Sequence, residues 1–172
     1  MSKQCLLNTL IDTDGMNNFY KPAGKQTVYD ADSFFNVICD DAPYVGPTNQ
    51  ILLLDPNVTY VWQMQPLSVL ANSDGSDGDL SITYFEFANL NAHKVDWNKI
   101  FDVEDSSFHI VGQRLVADNI KDGTVEVRTR KKLLENEPNL RLAYSIQFEF
   151  LLNGKKACGS IDPIIKNRND DT

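Results

Sequence analysis

Near the end of the chain, Leu140, Leu142, Tyr144, Ile146, Phe148, Phe150 and Leu152 occupy alternate positions, with Arg141, Ala143, Ser145, Gln147 and Glu149 between them. A period of two puts one row on each face of a strand, so this stretch predicts a strand with one side on a core. It would extend roughly 40 Å if uninterrupted, and a bulge or bend is expected within it. Asn153 and Gly154 form a turn signal, after which 157–165 resumes the apolar pattern.

Shorter alternations precede it. Residues 5–11 carry apolar side chains in both rows, as in a strand covered on two sides. Asp12-Thr-Asp-Gly-Met-Asn-Asn is rich in turn formers and predicts a break. Residues 33–39 form a second strand candidate. Residues 51–54 and 59–64, joined by Asp55-Pro56-Asn57, predict a hairpin-like pair. In 80–87, Leu80, Ile82 and Tyr84 lie opposite Phe85 and Phe87, so both faces call for cover. This predicts a central strand or a face used for association, with Leu80, Tyr84 and Phe87 as the association residues. Residues 108–111, 114–117 and 124–128 add short strands, while 95–101 and 131–137 predict brief helical segments, the second ended by Pro138. Many short strands with little helix predict an all-β fold, a single antiparallel β-sandwich with one or two short helical segments. The reading places one domain over 1–166 and a polar tail over 167–172.

Composition narrows the function. The 172 residues contain 42% hydrophobic side chains, sufficient for one substantial core. No apolar run is long enough to span a bilayer, and the first residues lack a signal-peptide pattern, so a cytoplasmic protein without membrane partners is expected. Sixteen basic against 24 acidic residues give a net charge of -8. Such a surface repels phosphate backbones, and nucleic acid is not an expected partner. The basic cluster Arg128, Arg130, Lys131 and Lys132 reads as a solvated strand end. Cys5, Cys39 and Cys158 are too dispersed for a disulfide framework or a closely spaced metal site, and His93 and His109 lack metal-motif spacing.

Two loops carry the candidate chemistry. Asp74, Asp77 and Asp79, beside Asn72, supply the oxygens a hard cation such as calcium would use, without the remainder of an EF-hand. No cofactor is otherwise required. Asp12 and Asp14 form a second oxygen-rich turn able to bond sugar hydroxyls. Trp97, set among Lys94, Asp96, Asn98 and Lys99, is the aromatic candidate for stacking on a sugar ring. Local nucleophile, phosphate-loop and zinc-protease motifs are absent, which favours a non-enzymatic role.

Five segments together resemble one family. Leu10-Ile-Asp-Thr-Asp, Tyr60-Val-Trp, Ile82-Thr-Tyr-Phe-Glu-Phe, Tyr144-Ser-Ile-Gln-Phe-Glu-Phe and Gly159-Ser-Ile-Asp-Pro-Ile-Ile resemble the PixA/AidA family of bacterial inclusion-body proteins in order and separation, over 5–166. The resemblance implies a jelly-roll-like sandwich of bacterial origin, made in quantity and in some members stored as intracellular inclusions. Ser160 and Ile161 depart from the aromatic character of the family's last motif, and only Met1, Met16 and Met64 are methionine. Two function classes follow: a self-associating structural or storage protein forming a homo-oligomer, or a carbohydrate-binding module. An uncharacterised enzyme is the third.

Overall fold

The computed structural model describes residues 3–20, 28–39, 44–45, 51–67, 80–103, 108–118, 120, 122–162 and 164–167. The described chain is mostly β, in two mixed sheets with a few short helices. A four-stranded sheet contains, in spatial order, β10 (Val125–Arg128), β6 (Val58–Pro66), β1 (Lys3–Ile11) and β3 (Phe35–Cys39). The nine-stranded sheet is built on β11 (Arg141–Leu152). On one side of it lie β7 (Ser81–Asn89), β9 (Arg114–Ala117) and, at the edge, β8 (Phe108–Val111). On the other side, β11 pairs with β12 (Lys155–Ile161) along one half and β13 (Ile164–Asn167) along the other. Beyond β13 come β5 (Ile51–Leu54) and β4 (Tyr44–Val45), and β2 (Tyr29–Asp30) flanks β12.

The long alternation behaves as its period requires: every second side chain from Leu142 to Leu152 is buried. Facing it, Trp62 of β6 packs with ring centroids 5.0 Å from Phe85, 5.7 Å from Phe87 and 5.8 Å from Tyr144. The core thus joins side chains of both sheets in one apolar cluster.

Two sequence expectations are corrected. The sheets are not purely antiparallel, because β1 runs parallel to β6, β12 to β2 and β13 to β5. Side-chain alternation carries no information about strand direction, and a parallel pair needs only enough intervening chain to cross over. The segments 51–54 and 59–64 are not a hairpin: β5 and β6 enter different sheets, and Asn57 makes the corner with a φ of 60°. At the other end of the described chain, Lys166 and Asn167 pair with Leu53 and Leu54.

Strand β7 is central, lying between β11 and β9 as one expectation had it, but its faces differ from the plain alternation. Gln147 pairs with Tyr84 but Phe148 pairs with Ile82, so Thr83 is an extra residue in β7. The expected irregularity therefore lies on the partner of β11. A bulge resets the alternation by one. Ile82 consequently shares the buried face with Phe85 and Phe87, and Tyr84 with Glu86 takes the other. The strand that reads as apolar on both faces has one core face.

The helices are short and depend on capping and anchoring rather than on propensity. Residues 13–19, expected as a turn, form α1 (Thr13–Phe19), with the Asp12 side chain accepting from the Gly15 amide at 2.9 Å and Met16 buried beneath. In α2 (Trp97–Ile100), Asp96 caps the Asn98 amide at 3.1 Å. The last is α3 (Leu133–Asn136), anchored by buried Leu133. None of the helices among the described residues is long and apolar enough to cross a membrane.

Candidate functional site

The residues singled out from sequence do not converge. Asp12 and Asp14 sit together at the start of α1, where Asp12 is engaged as the cap and Asp14 is exposed. Trp97 belongs to α2, which packs against α3, whereas α1 packs against β11. Its ring is 2% exposed and so presents no face for stacking on a sugar. Leu80 and Phe87 are buried within the chain, and Tyr84 is half-buried with its hydroxyl donating to Glu86 Oε2 at 2.6 Å. Asp74, Asp77 and Asp79 lie outside the described residues. Among the described residues no group of three His, Cys, Asp or Glu side chains is placed to hold a metal ion.

What the fold does assemble is a basic groove of about 480 Å³. Its floor is Thr129, whose backbone bridges Phe101 and whose side chain is a hub. The Thr129 hydroxyl accepts from the Val58 amide at 3.0 Å and donates to the Asp55 carbonyl at 2.6 Å, fixing the corner at Asn57. Around it, the Asp102 amide donates to the Arg128 carbonyl and the Arg130 amide to the Ile100 carbonyl, each at 2.8 Å, which locks the end of β10 to the end of α2. Asn136 of α3 donates to the Lys99 carbonyl at 3.3 Å. Three segments distant in sequence therefore line one concavity.

The lining holds five basic side chains, Lys99, Arg128, Arg130, Lys131 and Lys132, and one carboxylate, Asp102. Arg130 is held in place by the Asn98 carbonyl at 2.9 Å and by Asp102 at 3.4 Å. Arg128 donates to Asn57 Oδ1 at 2.5 Å, a neutral acceptor that orients the guanidinium without cancelling its charge. Lys132 pairs with exposed Glu135 at 3.7 Å. Lys99 and Lys131 have no carboxylate partner among the described residues. The run at 128–132 was legible in sequence as a basic cluster. Its convergence with Lys99 and three asparagines was not, because only the crossing between sheets brings them together.

Each histidine faces a carboxylate. His93 Nε2 lies 2.9 Å from Glu137 Oε2, and His109 Nδ1 lies 2.5 Å from Asp118 Oδ1. Burial and then the hydrogen bond to Glu86 push Tyr84 up to about 12, so it remains a protonated donor at neutral pH. Burial and Glu149 raise the Cys158 thiol, opposite to the shift an activated cysteine nucleophile needs.

One acidic cluster has a measurable consequence. The Asp162 amide donates to Asp32 Oδ1 at 2.9 Å, the Asp32 amide donates to Asp30 Oδ1 at 2.8 Å, and the Ser145 hydroxyl donates to Asp162 at 2.5 Å. Burial, with the charges of Asp30 and Asp162, raises the Asp32 carboxyl above its ordinary value despite the amide bond. A folded-state pKa above the unfolded one contributes stability below the unfolded pKa that is lost as pH rises through the folded pKa. Asp32→Asn retains an oxygen acceptor and removes the charge. Its melting temperature should exceed that of the parent at neutral pH, with the difference vanishing below about pH 3. An equal difference at both pH values would contradict the assignment.

No family model matches the sequence, and no curated protein matches it. Among solved structures, the chain is similar to an inclusion body protein, PixA, from Burkholderia cenocepacia, with a TM-score of 0.54 over 96% of this chain and 95% of that one. The likeness is one of fold. Sequence identity is 10%, and the near-complete coverage of both chains extends it beyond a shared sheet motif.

Proposed function

We propose that this chain is a non-catalytic, self-associating protein of the inclusion-body type, a divergent PixA/AidA relative folded as a jelly-roll-like sandwich over 1–166. The observation that carries the reading is the edge strand β8. It pairs with β9 on one side and has no strand on the other among the described residues. Ile110 and Val111 on it are 49% and 51% exposed. Strands at sheet edges are normally guarded by lysine, proline, a bulge or a covering segment, because their free amides and carbonyls recruit further strands. Phe108-His-Ile-Val has neither lysine nor proline. A second copy of β8 is its simplest complement, joining two nine-stranded sheets about a two-fold axis. The edge strand β3, with Ile38 exposed, gives a second joint through which assembly continues past a pair. The fold likeness to a protein described as an inclusion body protein supports the same reading.

A sugar-binding role has less support, since Trp97 is buried. Leu80 and Phe87 are likewise buried, which favours the sheet edge over them as the association surface in this reading.

Ile110→Lys places a guard on the edge without disturbing the core. Sedimentation velocity from micromolar to near-millimolar protein should show wild-type association weakened about tenfold or more in the variant, equivalent to roughly 1.4 kcal/mol, with the melting temperature unchanged. Unaltered association in a folded Ile110→Lys variant would remove β8 from the interface.

A further inference from the structure

We propose that the groove between the ends of β10, α2 and α3 is a binding site for a small, phosphate-rich anion. The proposal is independent of the self-association reading. Its first ground is charge: five cations converge on a lining with one carboxylate, Asp102, and a second, Glu135, paired with Lys132, in a chain whose net charge is -8. Keeping like charges together costs Coulomb energy that solvent and salt only partly screen. The Lys99 and Lys131 ammonium groups are not neutralised by a carboxylate among the described residues, which leaves them available to an incoming anion.

The second ground is construction. The Arg130 guanidinium is held by Asn98 and Asp102, the Arg128 guanidinium by Asn57, and the floor by the buried Thr129 hydroxyl. Two oriented guanidinium groups beside exposed lysines form a combination suited to phosphate: Arg offers a planar fork of donors, and Lys a compact point charge. At about 480 Å³, the concavity has the dimensions of a small-molecule site.

The lining also selects. It consists of Asn, Lys, Arg, Asp and Thr, with no aromatic or aliphatic residue. A nucleobase would find no aromatic or aliphatic side chain in the lining to lie against, whereas a pyrophosphate, a phosphorylated polyol or a short polyphosphate would be contacted by donors throughout. The wider negative charge of the chain opposes a long polyanion while leaving a small one free to enter.

Pyrophosphate is a suitable probe, titrated by calorimetry and by amide chemical shifts into the full chain at constant ionic strength. Saturable binding is expected, with shifts centred on Lys99, Thr129 and Lys131, and sulfate at the same ionic strength should fail to displace it. Lys99→Glu and Lys131→Glu, both exposed positions, should each weaken binding about tenfold without changing the melting temperature. The control Lys155→Glu/Lys156→Glu, on the exposed start of β12, should bind as wild type. Non-saturable shifts, complete displacement by sulfate, or equal weakening by the control pair would each overturn the proposal, reducing the groove to unspecific screening.

Discussion

Replacing Trp62 with alanine should lower the unfolding free energy by about 3–5 kcal/mol, the largest loss expected from any single truncation in this chain. Trp62 is 0% exposed and stands on the β6 row that faces the other sheet. Its ring meets Phe85 and Phe87 of β7 and Tyr144 of β11, so its removal opens a cavity where the sheets are joined rather than at a margin. Those neighbours are themselves fixed: Phe85 stacks on Tyr144, and Phe87 on Phe101, which limits how far they relax into the void. The loss would be a large share of the roughly 5–15 kcal/mol that holds an ordinary domain folded. Trp62→Phe separates the causes, because the indole N–H has no hydrogen-bond partner among the described residues and little is lost with it. Denaturant unfolding should therefore give Trp62→Phe a clearly smaller cost than Trp62→Ala, and equal costs would contradict a packing role.

Gly159→Ala should cost about 1–3 kcal/mol, through overpacking rather than a cavity. Gly159 of β12 lies directly opposite Phe148 of β11. A Cβ built there would fall 2.4 Å from Phe148 Cζ and within 2.9 Å of two further ring carbons. Phe148 is fully buried, so its ring has little room to withdraw. The double variant Gly159→Ala/Phe148→Leu should cost less than the two single changes added together, since the smaller side chain vacates the space the methyl requires. Simple additivity in chemical denaturation would show that the ring is not the obstacle. The constraint explains physically why a glycine opens the segment Gly159-Ser-Ile-Asp-Pro.

Strand existence was legible because burial imposes a period of two, and β8, β9 and β11 follow their predicted segments almost residue for residue. Strand partnership was not, since β5 and β6 look like a hairpin until their non-local partners β13 and β1 are known. The Thr83 bulge hid the true face of β7, for one added residue inverts every later position. Trp97 shows the same limit at a candidate site: polar neighbours in sequence say little about a four-residue helix whose capped turn points its one large ring inward. The basic groove was half visible, as charge without convergence. Strand β8 was visible as a short strand, but its position at the end of a sheet among the described residues is a property of topology alone.

The proposal that copies join through β8 is tested most directly by hydrogen exchange of the wild-type chain at dilute and at near-millimolar protein, read over 108–111. The account predicts that exchange slows there with concentration as the free edge gains a partner strand, while the already paired centre of β11 stays unchanged. Identical exchange over 108–111 at both concentrations, together with a monomeric mass at each, would contradict it.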